Sequence, residues 1–213
     1  MAPRRSATGK KKMMTRRRKF YRKSSLNRIE NQSHQFVRSA YYPSALTSTA
    51  LFSGFGGASK TVLSQLPNYT EFSALFDQYK IKKVQYTYIP RYDSADISQY
   101  NNLTLPRLFY VIDRDDAAAP SGINDLMQYA NVRSVQFNKP ITVTYVPSVS
   151  GLVYQTGVAS GYAPKSKQWL DLASTDVEHY GHKFWIDLHT SNFGSNFKVD
   201  IQIRVWIDCK NLR

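Results

Sequence analysis

One cysteine, Cys209, stands in the 213 residues, so no internal disulfide can form, and a fold kept in a reducing compartment is expected. Nowhere do about 18 apolar residues run together, which excludes a membrane-spanning helix. No apolar segment near the N-terminus resembles the core of a secretory signal. The Asn-x-Ser/Thr triplets at Asn31, Asn68 and Asn102 are therefore read as chance matches rather than glycosylation sites. Acids are missing altogether from residues 1–28.

That last absence organises the chain. The formal charge is +14, and residues 1–28 hold twelve cations: Arg4, Arg5, Lys10, Lys11, Lys12, Arg16, Arg17, Arg18, Lys19, Arg22, Lys23 and Arg28. Everything from Ile29 onward carries only +2. A segment with so much like charge and so little apolar surface cannot collapse, so residues 1–33 are expected to form a disordered arm until a polyanion neutralises them. Phe20 and Tyr21 add aromatic rings that can stack on unpaired bases. The arm has no amphipathic apolar face, which argues against membrane binding. A body at 34–213 is long enough to bury a core of its own.

In that body, short β-rich runs alternate with Pro, Gly, Asn and Asp. In "FKVDIQIRVWIDC", Val199, Ile201, Ile203, Val205 and Ile207 point one way while Lys198, Asp200, Gln202, Arg204 and Asp208 point the other. This period of two predicts a strand with one buried face, Cys209 on the buried side. Trp206 falls on the polar face, where a large aromatic points to a subunit contact. "HQFVRSAYY", "KKVQYTYIP", "RLFYVID", "VRSVQF", "ITVTYVP" and "KFWIDLH" read as further strands, with an eighth in "STALFSGF" or "LVYQT". Two short helices are expected. One is capped by Thr70 with an apolar stripe of Phe72, Leu75, Phe76 and Tyr79, and the other is capped by Ser121 with Ile123, Leu126 and Met127.

No long helices separate the strands, so the class is all-β and antiparallel. The connections 91–106, 113–121 and 147–180 are too long for a hairpin meander and fit a single eight-stranded jelly roll.

Motifs for chemistry are weak. "GFGGASKT" has phosphate-loop spacing, but Ser59 replaces the second glycine and Pro67 stops any helix soon after, so it reads as a Gly-rich turn. His179 and His182 supply two imidazoles, too few to close a metal site, and read as loop or interface histidines. Asp113, Asp115 and Asp116 lack the glycine and distal glutamate of a calcium loop and read as solvated. No catalytic residue, metal or cofactor is expected. Aromatics make up 14% of the chain, and Tyr41, Tyr42, Tyr92, Tyr100, Tyr154, Tyr162 and Trp169 fall in loops or on polar faces, which favours self-association.

The block "TEFSALFDQYKIKKVQYTYIPRYD", above all Phe72 to Val84, resembles the capsid proteins of circular Rep-encoding single-stranded DNA viruses, the circoviruses and cycloviruses. "WLDL" and "HYGHKFWID" look like that family's C-terminal part, and the arm looks like its Arg/Lys-rich N-terminus. One departure is that this arm alternates Lys and Arg blocks rather than being dominated by Arg.

The resemblance implies a jelly roll assembling as a homo-oligomer of sixty copies in an icosahedral shell. It also implies an arm that contacts viral single-stranded DNA and is read by a host nuclear import receptor, placing the protein in the virion and, during assembly, in the nucleus. The identity of the host-cell receptor is not given by the resemblance. Twelve cations in each of sixty copies make roughly 720 charges inside such a shell, so packaging becomes counterion release. Alternatives that fit the same arm are a coat protein of a small RNA or satellite virus, a non-viral basic-tailed nucleic-acid-binding protein, and an enzyme with a transit peptide. The near-neutral body and the clustered cations count against the last two.

Overall fold

The computed structural model describes residues 32–48, 54–91, 105–155, 158–188 and 197–212, with side chains 153–160 left aside. Strand β11 (Lys198–Leu212) is the spine of the first sheet. It lies between β1 (His34–Thr47) and β3 (Phe76–Arg91), all antiparallel. β6 (Ile141–Tyr145) and the two-residue β9 (Leu170–Asp171) extend this sheet beyond β3. In the second sheet β10 (His179–Asp187) pairs with β2 (Gly54–Thr61) and with β4 (Arg107–Ile112), and β4 with β5 (Arg133–Gln136). The hairpin of β7 (Ser148–Gln155) and β8 (Val158–Ser166) joins β10 through one pair, Tyr180 with Ser148.

The main strands thus run in the order 1-11-3-6 in one sheet and 2-10-4-5 in the other, with most connections crossing between sheets. That is the double Greek key of a jelly roll.

The alternation expected in β11 is present. Val199, Val205, Ile207 and Cys209 are buried, and Ile201 and Ile203 pack against the same core. β3 breaks the period at Lys82: Ile81 opposes Ile207 and Lys83 opposes Trp206, so one extra residue sits on β3. This bulge returns Val84 to the buried face three residues after Ile81. β1 is an edge strand, where Pro43, with no N–H to donate, interrupts the ladder between Tyr42 and Leu46 without harm.

Between the sheets lie Ile81, Val84, Tyr86, Tyr88, Leu108, Phe137, Ile186, Phe197, Val205 and Ile207. Each such side chain contributes roughly 1.5–3 kcal/mol on burial.

Several expectations are corrected. Helix α1 spans Tyr69–Leu75 with Asn68, not Thr70, at its N-cap. Phe76 and Tyr79 belong to β3, and Leu75 is exposed, because the strand claims the end of the expected helical stripe. Helix α2 spans Ile123–Met127 with Gly122 at its N-cap; Ser121 instead donates its N–H and hydroxyl to Asp125, and Met127 is 58% exposed.

"GFGGASKT" is strand β2, not a turn. A methyl group on Gly56 would come within 2.5 Å of the Trp185 ring, so the glycine lets β2 lie against a bulky neighbour. The stretch 147–180 is no open loop, because it holds β7, β8 and β9. Of the two candidate eighth strands, "LVYQT" falls largely in β7; residues 49–53 of "STALFSGF" and 92–104 of the 91–106 connection lie outside the described residues.

Candidate nucleic-acid and assembly surfaces

All of the arm's expected contacts, Arg4 through Arg28 with Phe20 and Tyr21, lie outside the described residues. The structure does fix where the arm leaves the body. β1 opens at His34, opposite Cys209, and Gln35 opposes Asp208, which in turn opposes Lys80.

Here the face of the first sheet turned away from the core carries cations. Lys80 and Lys82 each approach Asp208 at 3.5 Å. The ammonium of Lys83 sits 3.7 Å above the centre of the Trp206 ring, while those of Lys80 and Lys210 lie 4.2 and 4.4 Å from that of Trp169. Arg204 follows in the next row, between Ser39 and Gln85. Trp206, expected to meet another subunit, is half-buried under a lysine of its own chain. Sequence reasoning missed this grouping because net charge averages over the body, and because the bulge at Lys82 puts Lys83 on the same face as Lys80, which simple alternation along β3 does not predict.

Further along the same face, Asp200 is buried and holds three elements together. It accepts from the Tyr41 hydroxyl, from the Ser44 N–H at 2.7 Å and from Arg91 Nε at 2.7 Å. Burial opposes its charge, but these donors hold the carboxyl below its ordinary range.

The aromatics expected at interfaces divide. Tyr162 is 72% exposed, and Tyr41 and Tyr42 are also open to solvent. Trp169 is half-buried beside its lysines. Tyr92, Tyr100 and the Tyr154 side chain lie outside the described residues. Leu152 opposes Tyr162 across the β7–β8 hairpin and is exposed too, as are Val37 and Leu212.

The polar side chains with chemical potential prove internal. His182 is fully buried and bonded at both ring nitrogens, to the Tyr88 hydroxyl (2.6 Å) and to Ser59 Oγ (2.6 Å). Ser59 Oγ also accepts the His182 N–H at 2.9 Å and lies 3.1 Å from the Tyr145 hydroxyl. The set is satisfied if Tyr88 donates to Nε2, Nδ1–H donates to Ser59, and the serine donates onward. Burial pushes the His182 pKa down to about 3 and that of His179 to about 4. Both are core residues, a correction to their reading as loop or interface histidines. The serine–histidine pair is sealed between the sheets, where it ties β2, β3, β6 and β10 together.

The acidic run is corrected as well. Asp113 and Asp116 hold Lys183 of β10 at 2.9 and 2.8 Å, and the Tyr129 hydroxyl donates to Asp113. Asp113 and Lys183 are nearly enclosed. Desolvation opposes the lysine's charge, but the two carboxylates raise its pKa well above the ordinary value. A cavity of about 450 Å³, lined by Ala118, Pro120, Leu126 and Tyr129 among others, opens beside this clamp. Cys209 is buried as expected, and burial pushes its thiol up to about 12. Among the described residues no group of three or more His, Cys, Asp or Glu side chains is placed to hold a metal, and no helix is long and apolar enough to cross a membrane.

The fold recurs in viral coat proteins. The BFDV capsid protein in its 60-mer form superposes with a TM-score of 0.61 at 12% identity, over 85% of this chain and 95% of that one. Its decameric form gives 0.57 at 11% identity, over 85% and 100%. The coat protein of the nodavirus of the prawn Macrobrachium rosenbergii gives 0.51 at 12% identity, over 86% and 94%. The fold is thus the jelly roll found in viral capsids. The chain belongs to the circovirus capsid protein family, whose sequence model matches residues 3–213. No curated protein sequence matches it.

Proposed function

We propose that this protein builds the icosahedral shell of a small single-stranded DNA virus and packages the genome through its N-terminal arm, residues 1–33, with residues 34–213 forming the shell wall. Membership of the capsid family supports the structural role, and the BFDV protein's 60-mer supports assembly of this chain in sixty copies. The role is non-enzymatic.

The observation that carries the packaging step is charge segregation: twelve cations and no acid in residues 1–28 against +2 in all the rest. Each phosphate neutralised releases a counterion, so binding is indifferent to sequence and steeply salt-dependent. Phe20 and Tyr21 add stacking of ~1–3 kcal/mol each on unpaired bases. The same arm serves in addition as the nuclear address read by a host import receptor. The protein then resides in the virion, and in the nucleus during assembly.

Imaging of purified protein tests the assembly step: uniform small shells are expected, and dispersed monomers under every salt condition overturn it. Titrating binding to a single strand tests packaging. With all twelve cations engaged the slope of log K against log[salt] is about −8, and binding without salt dependence overturns it.

A further inference from the structure

We propose that the cation-rich face of the first sheet is a second contact for the packaged single strand, continuous with the arm; the inference rests on the reading that the arm meets nucleic acid. At the end of this face nearer the arm, Lys80, Lys82, Lys83, Arg204 and Lys210 lie with two carboxylates, Asp208 and Asp171, while Asp200 further along is paired with Arg91. The local excess is three positive charges, out of a total of +4 carried by the described residues. Most of the net positive charge of the described residues is therefore concentrated here. A polyanion complements such a face, whereas a protein partner does not, because lysine is depleted from the buried cores of protein interfaces.

The chemistry is that of a single-strand platform. Lys83 is held above Trp206, and Lys80 and Lys210 against Trp169, so their ammonium groups are positioned over rings before any ligand arrives. Cations with interleaved aromatics are the combination that tracks a phosphate backbone while offering surfaces to unpaired bases. Placement supports the same occupant. The arm joins the body at His34, one residue before the row Gln35, Asp208 and Lys80, so a strand neutralised by the arm is delivered to the lysines.

The test uses the full chain and a fluorescently labelled oligothymidylate titrated across salt concentrations. Converting Lys82, Lys83 and Lys210 together to Gln makes the slope of log K against log[salt] shallower by about 2, and Lys82→Gln alone by about 0.7. Converting Arg107, Arg133 and Lys139 to Gln removes the same charge elsewhere and leaves the slope unchanged. Circular dichroism and imaging confirm that the variants fold and assemble.

Wild-type slopes in both the triple and the single variant overturn the proposal while leaving the arm's role intact. Equal losses in the control set overturn it in favour of a diffuse charge effect. Unchanged slopes with weakened retention on a sulfated polysaccharide assign the face to that polymer instead. Absence of salt-dependent binding by the wild-type chain removes the underlying reading as well.

Discussion

Lowering the pH from 7 to 5 destabilises the folded subunit through two buried histidines. In the unfolded chain both titrate near 6.5. In the fold, burial holds His182 at about 3 and His179 at about 4. The folded values lie below the unfolded one, so between them the unfolded chain binds more protons and stability falls as the pH falls. Between pH 7 and 5 each histidine contributes a loss of about 1.8 kcal/mol, about 3–4 kcal/mol for the pair.

No charged group compensates at His182. The rings that face it are Tyr86, Tyr88 and Tyr145, and desolvation raises all three phenols further from this range. Asp113, Asp125, Asp200 and Glu178, all held below their ordinary values, extend the loss at lower pH. Urea unfolding of dissociated subunits at pH 7, 6 and 5 reads the effect as a midpoint lowered by about 1–2 M at pH 5. A midpoint that is unchanged or higher at pH 5 refutes the reasoning. So do ring signals assigned to His179 or His182 in a proton NMR titration that move with a pKa near 6.5 while the protein is folded.

Three substitutions probe the contacts that hold the sandwich. Lys183→Met leaves the nearly enclosed Asp113 carboxylate without its cation and destabilises by about 3 kcal/mol in urea unfolding, and adding Asp113→Asn restores part of the loss. Gly181→Ala drives a methyl group into the Tyr145 ring and costs about 1–3 kcal/mol by the same assay. Tyr88→Phe removes the hydroxyl at His182 Nε2 and leaves that buried nitrogen unsatisfied, a loss of about 1–3 kcal/mol that a thermal melt registers as a lower midpoint.

How much was legible in the sequence depended on whether local pattern and tertiary packing agreed. β11 was readable because its alternation runs unbroken from Val199 to Ile207 and one of its faces is buried. β3 was cut short because Phe72, Leu75, Phe76 and Tyr79 keep helical spacing by chance; pairing with β11 up to Leu212 and with β9 draws Phe76 onward into the sheet. β2 carries three glycines where a strand signal needs side chains, and only the rings of Trp185 and Phe184 packed above it explain them.

The internal roles of His182 and Lys183 depend on partners up to 123 residues distant in the chain, Ser59 among them, which no local spacing reveals. The charge segregation of residues 1–28 is a property of composition alone; those residues lie outside the described ones, and the role of the arm stands as a proposal. The lysine row on β3 and β11 was not legible, because its partners come from two strands more than a hundred residues apart.

The central claim is that residues 1–33 package single-stranded nucleic acid inside a shell built by the rest of the chain. The direct measurement is the nuclease-protected nucleic acid per particle, for shells assembled from the full chain and from a chain lacking residues 1–31. Full-length shells are predicted to protect a single strand in proportion to the arm charge they carry, and shells without the arm to lose most of it, retaining only what the sheet face holds. Equal protected nucleic acid in both kinds of shell contradicts the account.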